Sequence, residues 1–143
     1  MPRCYLIALA TSSATDSTTN NLSLFHLVEQ IQSQQFPVVL PLELHVYWEF
    51  EKNELGRDYE MRVLRVEGAT ATLAGPAIGL PSTWVRNRLR LVGLRLEGDG
   101  SFQLVPEWRS VPDGEWVSTG MGWPVQATVA EDPPIAGGAP AGE

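Results

Sequence analysis

Leu42-Glu43-Leu44-His45-Val46-Tyr47-Trp48-Glu49-Phe50-Glu51 alternates apolar and polar side chains over ten residues, with Tyr47 the one aromatic on the polar side. Leu42, Leu44, Val46, Trp48 and Phe50 share one side of an extended chain. Glu43, His45, Tyr47, Glu49 and Glu51 share the other. A period of two turns successive side chains to opposite faces of a sheet. The run therefore reads as an antiparallel strand with one face buried and one half-exposed. Trp48 belongs to the core on this reading. A proline-punctuated lead-in, Phe36-Pro37 to Pro41, precedes the run, and Lys52 to Gly56 reads as a turn after it.

Working outward, Cys4 to Ala10 is a continuous apolar run too short for a helix and reads as a buried strand. Thr11 to Asn21 is Ser, Thr, Asp and Asn almost throughout and reads as an exposed loop. Leu22 to Ile31 fits two templates. Leu24, Leu27, Val28 and Ile31 form a helical face, and Leu22, Leu24, His26 and Val28 form a strand face. The density of strands elsewhere favours the strand.

Tyr59 to Val66 is a further strand whose alternation fails at Leu64 to Val66, at a bulge or a two-sided end. Thr70 to Leu73 reads as a short strand, and Ala74 to Ser82, rich in Gly and Pro, as a loop. Arg88 to Leu96 changes phase at Gly93, which predicts a bulge there. Glu97-Gly98-Asp99-Gly100-Ser101 reads as the turn of a hairpin joining Leu94–Leu96 to Phe102–Val105. Pro112-Asp113-Gly114 is another turn, and Glu115–Val117 and Val125–Val129 close the series. Together these predict an all-β, single-domain antiparallel β-sandwich of about seven to eight short strands. The domain spans residues 1–130, and 131–143 is expected to be a flexible Pro/Gly/Ala-rich tail.

The segment Asn21 to Ile31, followed by Phe36-Pro37 and Pro41, resembles an uncharacterised family of small bacterial proteins, a domain of unknown function. In that family a Leu-Ser-Leu element ending in an acidic residue and Ile leads through Phe-Pro into a long alternating strand. The resemblance covers roughly the first 50 residues and departs from the pattern at His26 and in the arginine-rich middle. It implies a bacterial β-sandwich without catalytic residues.

Composition narrows the function classes. The 143 residues are 43% hydrophobic and 19% charged, the range of a folded domain. No apolar run approaches the ~20 residues of a membrane span. A net charge of −7 argues against nucleic-acid binding, which needs a basic footprint. Met1-Pro2-Arg3 and the apolar run after it only weakly match a secretory signal. A first strand is the better reading, and a cytoplasmic location is expected, in keeping with the single thiol of Cys4.

Catalytic groupings are sparse. His45 and Glu43 lie at i and i+2, and with His26 they are the only imidazole-bearing set, short of the three or four convergent ligands a metal needs. Cys4 lies in an apolar strand without a neighbouring base and reads as a core residue. The paired carboxylates Glu49 and Glu51 have the spacing of any solvated strand face. Gly75 to Gly79 lacks the lysine and the gap of a phosphate loop, and Pro76 removes a backbone donor. The expectation is a protein that is not an enzyme and uses no cofactor or metal.

The charge is unevenly spread. Seven of the nine arginines fall between Arg57 and Arg95, where Asp58, Glu60 and Glu67 are the only acids. That stretch is net +4 and the remainder −11. Arg86, Arg88 and Arg90 alternate and share one strand face, with Arg62 expected alongside across the sheet. Two readings follow. Cross-strand pairing with Glu43, Glu49, Glu51 and Glu60 would neutralise the stripe. Otherwise Arg62, Arg86, Arg88 and Arg90 contact an acidic protein surface or a phosphate-bearing ligand. Trp84, Trp108, Trp116 and Trp123 sit near Pro, Gly or charged residues. They read as strand-end packing, interface anchors or a ligand platform.

The sequence thus points to a non-catalytic protein-interaction module, an accessory subunit of a larger bacterial assembly. A protein partner is expected, with neither nucleic acid nor membrane, and homo-oligomerisation is left open. The alternative is a small-ligand or carbohydrate-binding sandwich that uses the loop tryptophans.

Overall fold

The computed structural model describes residues 1–130. The alternating run lies within β4 (Val38–Glu49), a central strand of a four-stranded sheet. β1 (Arg3–Thr15) flanks it on one side and β8 (Arg86–Leu96) on the other, and β2 (Leu22–Leu27) forms the far edge beyond β1. The second sheet has the order β3 (Gln30–Ser33), β11 (Trp123–Val129), β9 (Gly100–Ser110), β5 (Tyr59–Glu67) and β6 (Thr70–Leu73). β7 (Ile78–Leu80) also pairs with β5, and β10 (Val117–Ser118) with β9. All pairs are antiparallel except β3 with β11.

The two sheets pack as a β-sandwich. From the first come Ile7, Leu9, Leu44, Val46, Trp48, Leu94 and Leu96, all buried. From the second come Tyr59, Met61, Val63, Phe102, Leu104, Trp108 and Val125. Burying a large apolar side chain contributes about 1.5–3 kcal/mol, so this shared layer is the main source of stability. Trp48 is fully buried and Cys4 is 4% exposed, as the alternation and the apolar run predict.

Eleven strands occur among the described residues, more than seven or eight, for physical reasons. Leu22 to Ile31 is not one element. β2 ends at Leu27 after His26 takes a left-handed φ of 55°, and β3 begins at Gln30 in the other sheet. β1 does not stop at Ala10. Its polar continuation to Thr15 pairs with β2, so hydroxyl-rich Thr11–Thr15 is strand rather than loop. Ile78–Leu80 emerges from the Gly/Pro segment to pair with β5.

The hairpin expected across Glu97–Ser101 is a crossover instead, because β8 and β9 belong to different sheets. Arg65 explains how that turn is held. Its guanidinium donates to the carbonyls of Gly98 (2.8 Å) and Asp99 (2.7 Å) and lies over the Phe102 ring. The lost alternation at Leu64–Val66 has the same origin. Pairing with β9 runs through without a bulge, and Arg65 closes the strand's end. At Gly93 the extra residue lies on the partner strand. Pro41 and Leu42 of β4 together face Gly93, whose φ of 91° suits glycine. The expected tail, 131–143, lies outside the described residues.

Candidate functional site

The outer face of the four-stranded sheet gathers most of the functional candidates. Its register sets Glu49 opposite Arg86, Tyr47 opposite Arg88 and His45 opposite Arg90. On the other flank of β4, Glu49 faces Arg3 and His45 faces Ala8. Facing residues in an antiparallel pair point to the same side. Arg86, Arg88 and Arg90 thus form one row along β8.

β8 is an edge strand, and its far side pairs with no strand among the described residues. The row is partly neutralised. Arg86 meets Glu49 at 3.2 Å, and Arg3 pairs with the same carboxylate. Arg3 first and Arg86 second hold the Glu49 carboxyl below the ordinary glutamate range. Arg90 approaches Glu43 only to 3.6 Å. Arg88 has no carboxylate partner among the described residues and donates to the Asn20 carbonyl at 2.7 Å.

That bond shows how the β1–β2 hairpin leans over this face. Asp16 organises the hairpin tip. Its carboxylate accepts from the Thr19 amide foremost and from the Thr18 amide, which holds its carboxyl below the usual range. Asn20 takes the left-handed φ of 60° that closes the turn. Ser13 then donates to Glu43 Oε1 at 2.7 Å, and His45 Nε2 contacts the same oxygen at 3.0 Å. An ionised glutamate can only accept, so His45 Nε2 carries the proton in this contact. Donation from Ser13 foremost, then the His45 and Arg90 contacts, keep the Glu43 carboxyl below its ordinary range.

Here the half-exposed face expected for β4 is corrected. His45 is 2% exposed and Tyr47 7%, because the hairpin and the arginine row cover them. The Tyr47 hydroxyl has no hydrogen-bond partner among the described residues, and burial pushes its titration upward. Below the hairpin a pocket of about 390 Å³ is bounded by Ser13, Thr15 and Leu22 above and by His45, Tyr47 and Arg88 below.

Ser13, Glu43 and His45 do not make a nucleophilic triad. The glutamate sits between the other two, so the imidazole is not placed to take the serine proton. Cys4 lies within the core, where burial pushes its thiol up to about 11. No group of three His, Cys, Asp or Glu side chains among the described residues converges as a metal site requires.

No family model and no curated protein matches the chain.

The remaining candidates are dispersed. Arg62 does not join the stripe. It lies on β5 in the other sheet, 2.8 Å from Glu107. Beside it, Arg109 of β9 meets Glu60 at 2.6 Å, and the Trp116 ring lies under both guanidinium groups, at 4.2 and 4.7 Å. Trp108 is a core residue, edge-on to Tyr59. Trp123 packs against the core and donates its indole N–H to the Val28 carbonyl at 2.7 Å. Trp84 is 74% exposed and stands two residues before Arg86. The four tryptophans therefore do not form one platform. Sequence reasoning missed Ser13, Thr15, Leu22 and Tyr47 as companions of the stripe. One signal was present, since His45 and Tyr47 share the polar face of the strand that β8 flanks.

Proposed function

We propose that this chain is a non-catalytic protein-interaction module, an accessory subunit that docks an acidic, extended segment of a partner protein along β8. One observation carries the reading. An exposed tryptophan, Trp84, leads directly into an edge strand that presents Arg86, Arg88 and Arg90 in a row. Tryptophan and arginine are the side chains most enriched among residues that dominate binding energy. An unpaired strand edge offers backbone hydrogen bonds to an added strand, and alternate side chains supply its specificity. Arginines on an edge also discourage self-pairing. An antiparallel β8–β8 contact centred on Arg88 would set arginine against arginine, which favours a different, acidic partner over a second copy.

The test is affinity capture from a lysate of the native host with the intact chain and with R86E/R88E/R90E. A stoichiometric protein retained by the former and lost by the latter, with both variants folded, is the expected result. Equal retention by both removes the stripe from the interaction. A folded monomer that captures no protein overturns the reading.

A further inference from the structure

We infer that the pocket between the β1–β2 hairpin and the outer face of the four-stranded sheet binds a small oxyanion, a carboxylate or phosphoryl group. This goes beyond the docking of a partner strand. The pocket lies over β4 and β8, beneath the hairpin residues Ser13, Thr15 and Leu22, and filling it requires no added strand. Arg88 and Arg90 are the only cations on its wall. Glu43, the nearby acid, is held by Ser13, His45 and Arg90, so Arg88 is left as surplus positive charge. Arg88 lies over the Tyr47 ring and donates its hydrogen bond to the Asn20 carbonyl, a neutral acceptor that an anion would displace with a stronger, charge-assisted contact.

The floor is unusual. Tyr47, more than nine-tenths buried, has an orphaned hydroxyl beneath Arg88, whose guanidinium carbon is 6.0 Å from the ring centre. A buried donor without a partner costs free energy, and an oxyanion drawn in beside Arg88 would supply the acceptor that hydroxyl lacks. The Thr15 side chain stands at the rim. A volume of about 390 Å³ admits a small acid or a single phosphoryl group.

The experiment titrates the full chain with inorganic phosphate and separately with succinate, at constant ionic strength held with chloride. The His45 ring and arginine Nε resonances are followed by NMR. A saturable shift at His45 and Arg88 is expected, weakened at least tenfold in Arg88→Gln and changed less than twofold in Arg86→Gln. Leu22→Trp fills the pocket without altering charge and should also abolish the shift, which keeps the test decisive if the Arg88 variant misfolds. A response to phosphate alone assigns a phosphoryl ligand, and a response to succinate alone a carboxylate. No saturable shift with either anion, or equal weakening by Arg86→Gln and Arg88→Gln, overturns the site. Both overturning results leave capture of a protein partner by β8 untouched, so the two failures are distinguishable.

Discussion

The two outer faces of the sandwich carry arginines in similar settings and use them differently. On the seven-stranded sheet, Arg62 and Arg109 each pair with one glutamate across the β5–β9 ladder, and Trp116 covers both. Both arginines there have a carboxylate partner and a stacked ring, so that face is closed. On the four-stranded sheet, Arg86 and Arg3 divide one carboxylate, Arg90 stands 3.6 Å from another, and Arg88 makes do with a carbonyl. An arginine count does not identify a binding surface. What distinguishes the faces is charge left over after local pairing.

This contrast can be tested from both sides. R62E/R109E places four carboxylates along the closed ladder and should lower stability by about 2–4 kcal/mol in urea denaturation, while leaving partner capture intact. R86E/R88E/R90E should cost under about 1 kcal/mol, because exposed pairs contribute little. Similar losses for the two variants would erase the distinction. Trp116→Ala removes both cation–π contacts and should cost about 1–2 kcal/mol, measured in the same way.

Acid should act on the open face through Glu43. Its folded titration lies below the unfolded value, so its stabilising effect is complete above the ordinary glutamate range and is lost as pH falls through the lowered value. Glu43→Gln should therefore be less stable at pH 7 and lose less stability between pH 5 and 3. A variant with an unchanged acid slope would show that Glu43 is not coupled to the fold. The smallest effect belongs to Tyr47→Phe, which deletes a buried, unpartnered hydroxyl. It should be neutral or stabilising by up to about 1 kcal/mol. A loss above that would reveal a partner for the hydroxyl.

The sandwich was legible wherever one strand's own alternation set its faces. Leu44, Val46 and Trp48 are buried because a period of two leaves them no other side. The common face of Arg86, Arg88 and Arg90 followed in the same way. Sheet membership was not legible. The Glu97–Ser101 segment has hairpin chemistry, yet it crosses between sheets, and a local signal cannot tell the two apart. Arg62 was misplaced for that reason. The cover over His45 and Tyr47 is tertiary, made by a hydroxyl-rich hairpin whose composition alone reads as loop. Trp108 could have been placed, since Phe102, Leu104, Pro106 and Trp108 alternate, but Pro106 obscured a strand running to Ser110.

Within the described residues the chain passes between the two sheets five times, at β2–β3, β3–β4, β4–β5, β7–β8 and β8–β9. Neither sheet is encoded by a contiguous segment. β4, the strand with the clearest local pattern, takes both its neighbours from distant parts of the sequence. Loop closure must therefore precede most of the stabilising pairings. That is the signature of a slow folder, in the millisecond-to-second range. A chain truncated before β8 would lack a flank for β4 and leave its backbone edge bare, so synthesis must pass Leu96 before β4 is covered and the arginine-bearing strand takes its place at the edge.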